Sequence, residues 1–477
     1  MQRFNLQRFN LQRFKARYFN TRHFNTRYFN AWYFNAWYLK KITAFVLSVA
    51  AAVLLAGCSP KTGNGSLLAP PGVSGDMQLV EKTLKEYVKG SYTLKYPTAG
   101  EYRSAYILAD LFENGKKEFA LALYSVTGAD NISAMHLNLM KKVDESWVTY
   151  SDVQIAAVGV EKVDFCDLDG DGTREIVVGW NIYSNIEKKA VVYSLSGESL
   201  SAHTQEPYTE FLCGKLRQNG GNDLFILSHN ADKKEAVAKV LSYENNAFRT
   251  VSSCALNGAA TAFSAPQLSR LTGGTPAVFV DSTLTNGMQT EVLFFKNSQL
   301  TNPLLHQANG GQLATFRSSS AVCCDMNEDG FLDIPVMRQP SRKAVPSSAG
   351  VPPINLTDWS SYDGEQLVVT LVAAMNYTDG YYFTLPKRWE GKIAVQREPE
   401  SRSCAVLLQS GEQQTPTELV RIRAVAETEW SKADADSDAY FELARKNSTV
   451  FIAMQGVYSG EEAVSQTEMK SIFHLIQ

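Results

Sequence analysis

The chain has 477 residues, 44% of them hydrophobic and 20% charged, and a formal net charge of −3. That apolar share, with 21 tyrosines and 24 phenylalanines, supports a packed core and excludes a disordered chain. The near-neutral balance leaves no basic footprint, so nucleic acid is not expected as a partner.

Residues 1–38 carry phenylalanine at every fifth position, from Phe4, Phe9 and Phe14 through Phe34. A period of five fits neither a helix nor a strand. The segment reads as a mistranslated pentapeptide repeat upstream of a true start near Leu39. The alternative is a basic, aromatic segment lying in lipid headgroups.

Residues 39–58 have the layout of an export signal: Lys40 and Lys41, then an uncharged apolar run from Ile42 to Gly57. That run is short of the ~20 residues that span a bilayer. It ends in Leu55-Ala56-Gly57-Cys58, which resembles the bacterial lipobox. The resemblance implies a diacylated Cys58 as the mature first residue, on the extracytoplasmic face of the cell membrane. A transmembrane anchor with a chance cysteine is the competing reading, opposed by the small residues before Cys58 and the polar ones after it. Residues 59–80, rich in Gly, Ser and Pro at their start, read as a flexible tether.

Six cysteines follow Cys58, namely Cys166, Cys213, Cys254, Cys323, Cys324 and Cys404. An even count outside the cytoplasm permits disulfides, but no pair shows CxxC or zinc spacing. Several fall at matching repeat positions, as small core residues on equivalent strands would.

Between residues 81 and 375 one unit recurs five times, aligned on Gly115, Gly172, Gly220, Gly273 and Gly330. Each copy has a strand-like lead, a glycine-containing turn and a second apolar strand. A further hairpin turn follows in each: VDESW, LSGESL, YENNAF, FKNSQL and YDGEQL. Two hairpins per unit predict a four-stranded antiparallel sheet. A row of such sheets predicts a mainly β chain, a β-propeller of about five blades, followed over 376–477 by a small α+β domain. A β-sandwich explains short strands equally well, but not the repetition. Gln339–Asp358, with its prolines, reads as a loop inserted in the last unit.

Two of the turns are rich in acids. One holds Asp167, Asp169, Asp171, Thr173 and Glu175, the other Asp325, Asn327, Asp329, Phe331 and Asp333. Both offer side-chain oxygens at positions 1, 3, 5 and 9, with the backbone carbonyl of Thr173 or Phe331 at position 7. Alternate oxygens around a glycine-permitted turn suit Ca²⁺, which takes six to eight hard ligands. Position 12 is Val178 or Val336 rather than the Glu of an EF-hand, and β-rich sequence follows. The pattern resembles the FG-GAP repeats of integrin-type propellers and related VCBS-repeat proteins, whose DxDxDGxxD loop binds Ca²⁺. Two Ca²⁺ sites are therefore expected; the alternative is an Asp/Gly-rich turn without metal. The other three units keep only Asp110, Asn114 and Glu118, then Asn219 and Asp223, then essentially nothing.

Asp434, Asp436, Asp438 and Glu442 repeat the spacing, but Ala439 stands where the turn needs glycine. They read as solvated acids before a helix over DAYFELARK. A second helix is expected over EMKSIFHLIQ, and strands elsewhere after Tyr377. The segment YYFTLPKRW resembles the F-x-x-P-x-x-W opening of PsbP/Mog1-like sandwiches.

There is no GxSxG, HExxH, P-loop or GxGxxG pattern, and His136, His203, His229, His306 and His474 are scattered. The favoured function is a membrane-anchored binding module for a protein or cell-wall glycan. The alternative is an extracellular hydrolase with its site at the propeller mouth, since paired carboxylates come from distant positions.

Overall fold

The computed structural model describes residues 75–128, 133–183, 187–197, 199–307, 312–338, 354–409, 416–430 and 440–476. Cys58, the signal, most of the inserted loop, and Asp434, Asp436 and Asp438 lie outside them. Among the described residues no helix is long and apolar enough to cross a membrane.

The chain is mainly β. Helix α1 (Gly75–Val88) precedes a first sheet of β1 (Thr93–Leu94), β2 (Tyr106–Ala109), β3 (Phe119–Thr127), β4 (Ser133–Val143) and β5 (Ser146–Ile155). The second sheet is β6 (Gly159–Cys166), β7 (Glu175–Tyr183), β8 (Glu187–Ser196) and β9 (Ser199–Pro207). The third is β10 (Glu210–Gly214), β11 (Asp223–Asn230), β12 (Glu235–Glu244) and β13 (Ala247–Leu256). The fourth has β14 (Ala262–Phe263), β15 (Gln267–Arg270), β16 (Pro276–Leu284), β17 (Gly287–Lys296) and β18 (Gln299–Thr301). Every pairing is antiparallel.

The second strand of each unit explains the packing. Side chains on a strand alternate between faces, so a run of apolar residues needs cover on both. In β7, Ile176, Val178 and Trp180 pack toward the first sheet, and Val177 toward the third. In β11, Leu224 and Ile226 face the second sheet while Phe225 and Leu227 face the fourth. In β16, Val278 and Val280 meet the third sheet, and Ala277 and Phe279 the fifth. Consecutive sheets thus share a core at each interface, the packing of propeller blades.

In the first sheet Phe119, Leu121 and Leu123 of β3 meet the second sheet. The opposite face offers Ala120, Ala122 and Tyr124, and α1 lays Val80 and Leu84 on it. Asp76 pins the helix by accepting from Lys142 Nζ at 2.8 Å and from Trp147 Nε1 at 3.3 Å. This helix was not among the elements expected from the sequence.

The fifth sheet runs β19 (Ile334–Met337), β20 (Leu356–Tyr362), β21 (Leu367–Asn376), β22 (Tyr381–Thr384) and β28 (Phe473–Leu475). Its lead strand has shrunk to a bridge between Cys324 and Asp333. The sixth sheet has the order β23 (Ile393–Glu398), β24 (Ser403–Leu408), β25 (Thr417–Ala426), β27 (Thr449–Gln455), β26 (Phe441–Lys446). Helix α3 (Gln466–Ile472), third in chain order after the short α2 (Pro303–His306), precedes β28; Ser465 Oγ caps it by accepting from Glu468 N at 3.1 Å.

Two sequence expectations are corrected here. Within DAYFELARK the described part forms strand β26 rather than a helix, because Phe441 and Leu443 reach the core while Tyr440 packs on the other side. A bulge between Glu442 and Ala444 breaks the alternation and gives a sequence that also fits helical spacing. In EMKSIFHLIQ the helix stops at Ile472 and the chain continues as β28.

The second-hairpin turns are two-residue loops in four units, with Asp144, Gly197, Asn245, Asn246, Asn297 and Ser298 at positive φ. Such turns match the twist of the strands they join. In the first-hairpin loops Gly115, Gly172 and Gly330 have φ of +80°, +87° and +85°; in the fourth unit Gly274, not Gly273, is left-handed.

The six cysteines are free thiols, with Cys166, Cys323 and Cys404 buried. Burial pushes the Cys166 thiol up to about 12 and the Cys404 thiol up to about 11. These three thiols should resist iodoacetamide in the native protein and react in denaturant; peptide mass spectrometry reads the outcome. Gly287 tests the fourth sheet, since an added Cβ would sit 2.2 Å from the carbonyl oxygen of Arg317. Gly287→Ala should destabilise by about 1–3 kcal/mol through overpacking, measured by denaturant melts.

Candidate metal centre

The loop from Asp167 to Glu175 links β6 to β7 and folds around its own carboxylates. Asp167 accepts from Gly170 N at 2.8 Å and from Gly172 N at 3.2 Å. Asp169 accepts from Asp171 N at 3.0 Å, and Asp171 from Thr173 N at 2.6 Å. Glu175, the first residue of β7 and only 1% exposed, reaches back to Leu168 N at 2.7 Å and Asp169 N at 3.3 Å. Each side chain therefore holds the backbone two or more residues away, and the loop wraps its acids inward.

The loop from Asp325 to Asp333 repeats this scheme. Asp325 accepts from Asp329 N at 3.0 Å and Gly330 N at 2.8 Å. Asn327 accepts from Asp329 N at 3.2 Å, Asp329 from Phe331 N at 2.9 Å, and Asp333 from Met326 N at 3.1 Å. The remaining oxygen of Asp333 accepts from Thr370 Oγ1 at 2.7 Å. Even the degenerate first unit keeps part of it, with Asp110 accepting from Asn114 N and Gly115 N.

In the first of the acidic loops, oxygens of Asp167, Asp169 and Glu175 lie within 4.8 Å of one another, close enough to share a metal ion. Among the described residues no ion pair joins a lysine or arginine to these three; the neighbouring Arg174 is turned to Glu113, at 2.6 Å. Burial pushes Glu175 up to about 7 and also raises Asp169. Asp333 is raised by burial in the second loop. A cation among these oxygens would favour their charged forms and remove that cost.

The third unit shows the same need met differently. Position 9 is Asp223, fully buried, and position 3 is Arg217, whose Nε and Nη2 donate to it at 3.1 and 2.9 Å. A guanidinium thus stands beside the carboxylate that opens the strand. The sequence reading missed this arginine, although counting back from Gly220 puts it on the ligand register. Neighbouring loops are also tied together: Arg174 N donates to Leu111 O at 2.7 Å, and Asn222 Nδ2 to Asp167 O at 2.8 Å.

Fold and site define a β-rich, propeller-like protein with, among the described residues, one carboxylate cluster able to hold a metal ion. No protein-family model matches the chain, and no curated protein matches it. Among solved structures it is similar to a rhamnogalacturonan lyase from Bacillus licheniformis, at 12% identity and a TM-score of 0.29, over 58% of this chain and 63% of the lyase. The chain therefore spans less than two thirds of that enzyme. It is also similar to an exo-β-1,3-galactanase from Clostridium thermocellum, at 10% identity and a TM-score of 0.27, over 80% of this chain and 98% of the other. The Dos1 propeller aligns at 8% identity and a TM-score of 0.26, over 69% and 80%. None of these likenesses transfers a residue role or an activity to this chain.

Removing the Arg217 guanidinium should leave Asp223 buried without its charge partner. Arg217→Met is expected to cost about 3 kcal/mol, the low end for a broken buried pair because Arg217 is partly exposed. The Arg217→Met/Asp223→Asn double variant should recover much of the loss in urea melts.

Proposed function

We propose that this protein is a calcium-stiffened binding module, held on the outer face of a membrane by a lipid on Cys58 and presenting its loops to a protein or cell-wall glycan. The calcium reading is carried by one observation: two loops far apart in sequence fold their position 1, 3, 5 and 9 side chains by one hydrogen-bond scheme. In the first, Asp167, Asp169, Asp171 and Glu175 would hold the ion with the Thr173 carbonyl. In the second, Asp325, Asn327, Asp329 and Asp333 would do so with the Phe331 carbonyl. Hard oxygens of this kind suit Ca²⁺, and the ion would supply the charge that Arg217 provides in the third unit. The same loops support the FG-GAP/VCBS-type reading of the repeats.

Ca²⁺ bound by the folded state alone raises its stability by mass action. EDTA should lower the melting temperature, and added Ca²⁺ should restore it. Asp169→Ala should remove part of that shift and Glu442→Ala none. An EDTA-insensitive melt with no calcium in elemental analysis would sink the claim. For the anchor, Cys58→Ser should move the protein from the membrane fraction to the soluble one, with loss of the lipid mass on the N-terminal peptide.

A further inference from the structure

A second polar constellation lies on the other face of the first sheet, away from the acidic loops. Asp152 of β5 accepts His136 Nδ1 on Oδ1 at 2.7 Å. Its Oδ2 accepts Tyr124 OH at 2.6 Å and Asn138 Nδ2 at 2.9 Å. The residues come from three adjacent strands, β3, β4 and β5, so no short sequence motif announces them. The scattered histidines of the sequence reading thus include one held by a carboxylate.

Counting hydrogens assigns the ring. Asp152 is surrounded by donors, so it serves as the acceptor and His136 carries a hydrogen on Nδ1. Nε2 is then the ring atom left to meet a ligand. The imidazole is fixed in its plane as well, stacked on Tyr124 with centroids 4.8 Å apart and 18° between planes. A ring fixed by a carboxylate and an aromatic face is pre-organised rather than merely buried.

This group opens into a cavity of ≈ 570 Å³ between the last turn of α1 and the sheet, lined by Tyr87, Tyr124, Val126, His136, Asp152 and Gln154 among others. That volume suits a small molecule. Among the described residues no lysine or arginine lines it, and the one carboxylate on its wall already holds three donors, so these residues match neither an anion nor a bare cation. What the wall offers is an aromatic ring 48% exposed on Tyr87, an amide on Gln154 and the Nε2 edge of His136. An apolar platform beside hydroxyl-matching groups is the chemistry that reads a sugar ring, with its C–H face and hydroxyl edge.

We propose that this cavity binds a neutral saccharide unit, with Tyr87 under its C–H face and His136 Nε2 and Gln154 on its hydroxyls. The proposal deepens the binding-module reading and rests on it, while being independent of calcium.

The test follows the histidine ring signals of the full chain, six in number, by NMR. Neutral methyl glycosides and disaccharides, with uronate counterparts, are titrated in, and His136→Gln assigns the relevant signal. One neutral sugar should shift that signal saturably, its uronate should not, and Tyr87→Ala should weaken binding about tenfold or more without changing the melt. A panel that leaves the His136 signal unmoved, or a Tyr87→Ala protein that binds as well as the parent, overturns the site. Saturable binding to cell-wall material that survives both substitutions would overturn the site yet keep the wider reading. Wild-type protein that binds neither the panel nor such material overturns both.

Discussion

A strand whose side chains are apolar on both faces cannot end a protein; something has to lie on each side of it. That constraint organises the chain. The runs around Val177, Ile226 and Phe279 force each sheet between two others, and the row grows until a face of different character appears. At the first sheet that face is small, with Ala120 and Ala122, and α1 covers it. The loops that carry chemistry are positioned as a by-product, because every unit turns from its first strand to its second at the same place.

The repeat and its turns were legible because they depend on local rules. A left-handed position favours Gly and Asn, and a two-residue hairpin of the Asn245-Asn246 kind uses two such positions. Both leave marks at fixed spacing, as Asn245-Asn246 and Gly330 do. The acidic loops were legible for the same reason, since a ligand set wrapped on one turn is contiguous. Strand β26 was not, because a bulge made its pattern ambiguous and its hairpin partner β27 decided the matter. The His136–Asp152 pair was not either, since it is assembled across neighbouring strands by register alone.

Arg217 lies between these cases. Its register was visible, but a basic residue on an expected ligand position reads as decay of a motif. The structure recasts it as substitution of one cation source for another. The buried Arg317–Asp281 pair serves a related purpose without any loop, as Thr290 Oγ1 and Cys323 N also donate to Asp281 and tie the 315–323 segment to the fourth sheet.

The return of β28 to the fifth sheet has a consequence for how the chain comes together. Each of the first four sheets is made from one contiguous stretch, so each is complete as soon as that stretch has emerged, and its neighbour finds a finished surface to settle on. The fifth sheet alone waits. Its outer edge at β22 stays unpaired until residues 473–475 arrive, after the whole sixth sheet has been laid down. A chain that emerges from its N-terminus therefore carries one open strand edge through the last hundred residues or so of its assembly. That strand works as a latch: closing it ties the sixth sheet to the row that preceded it.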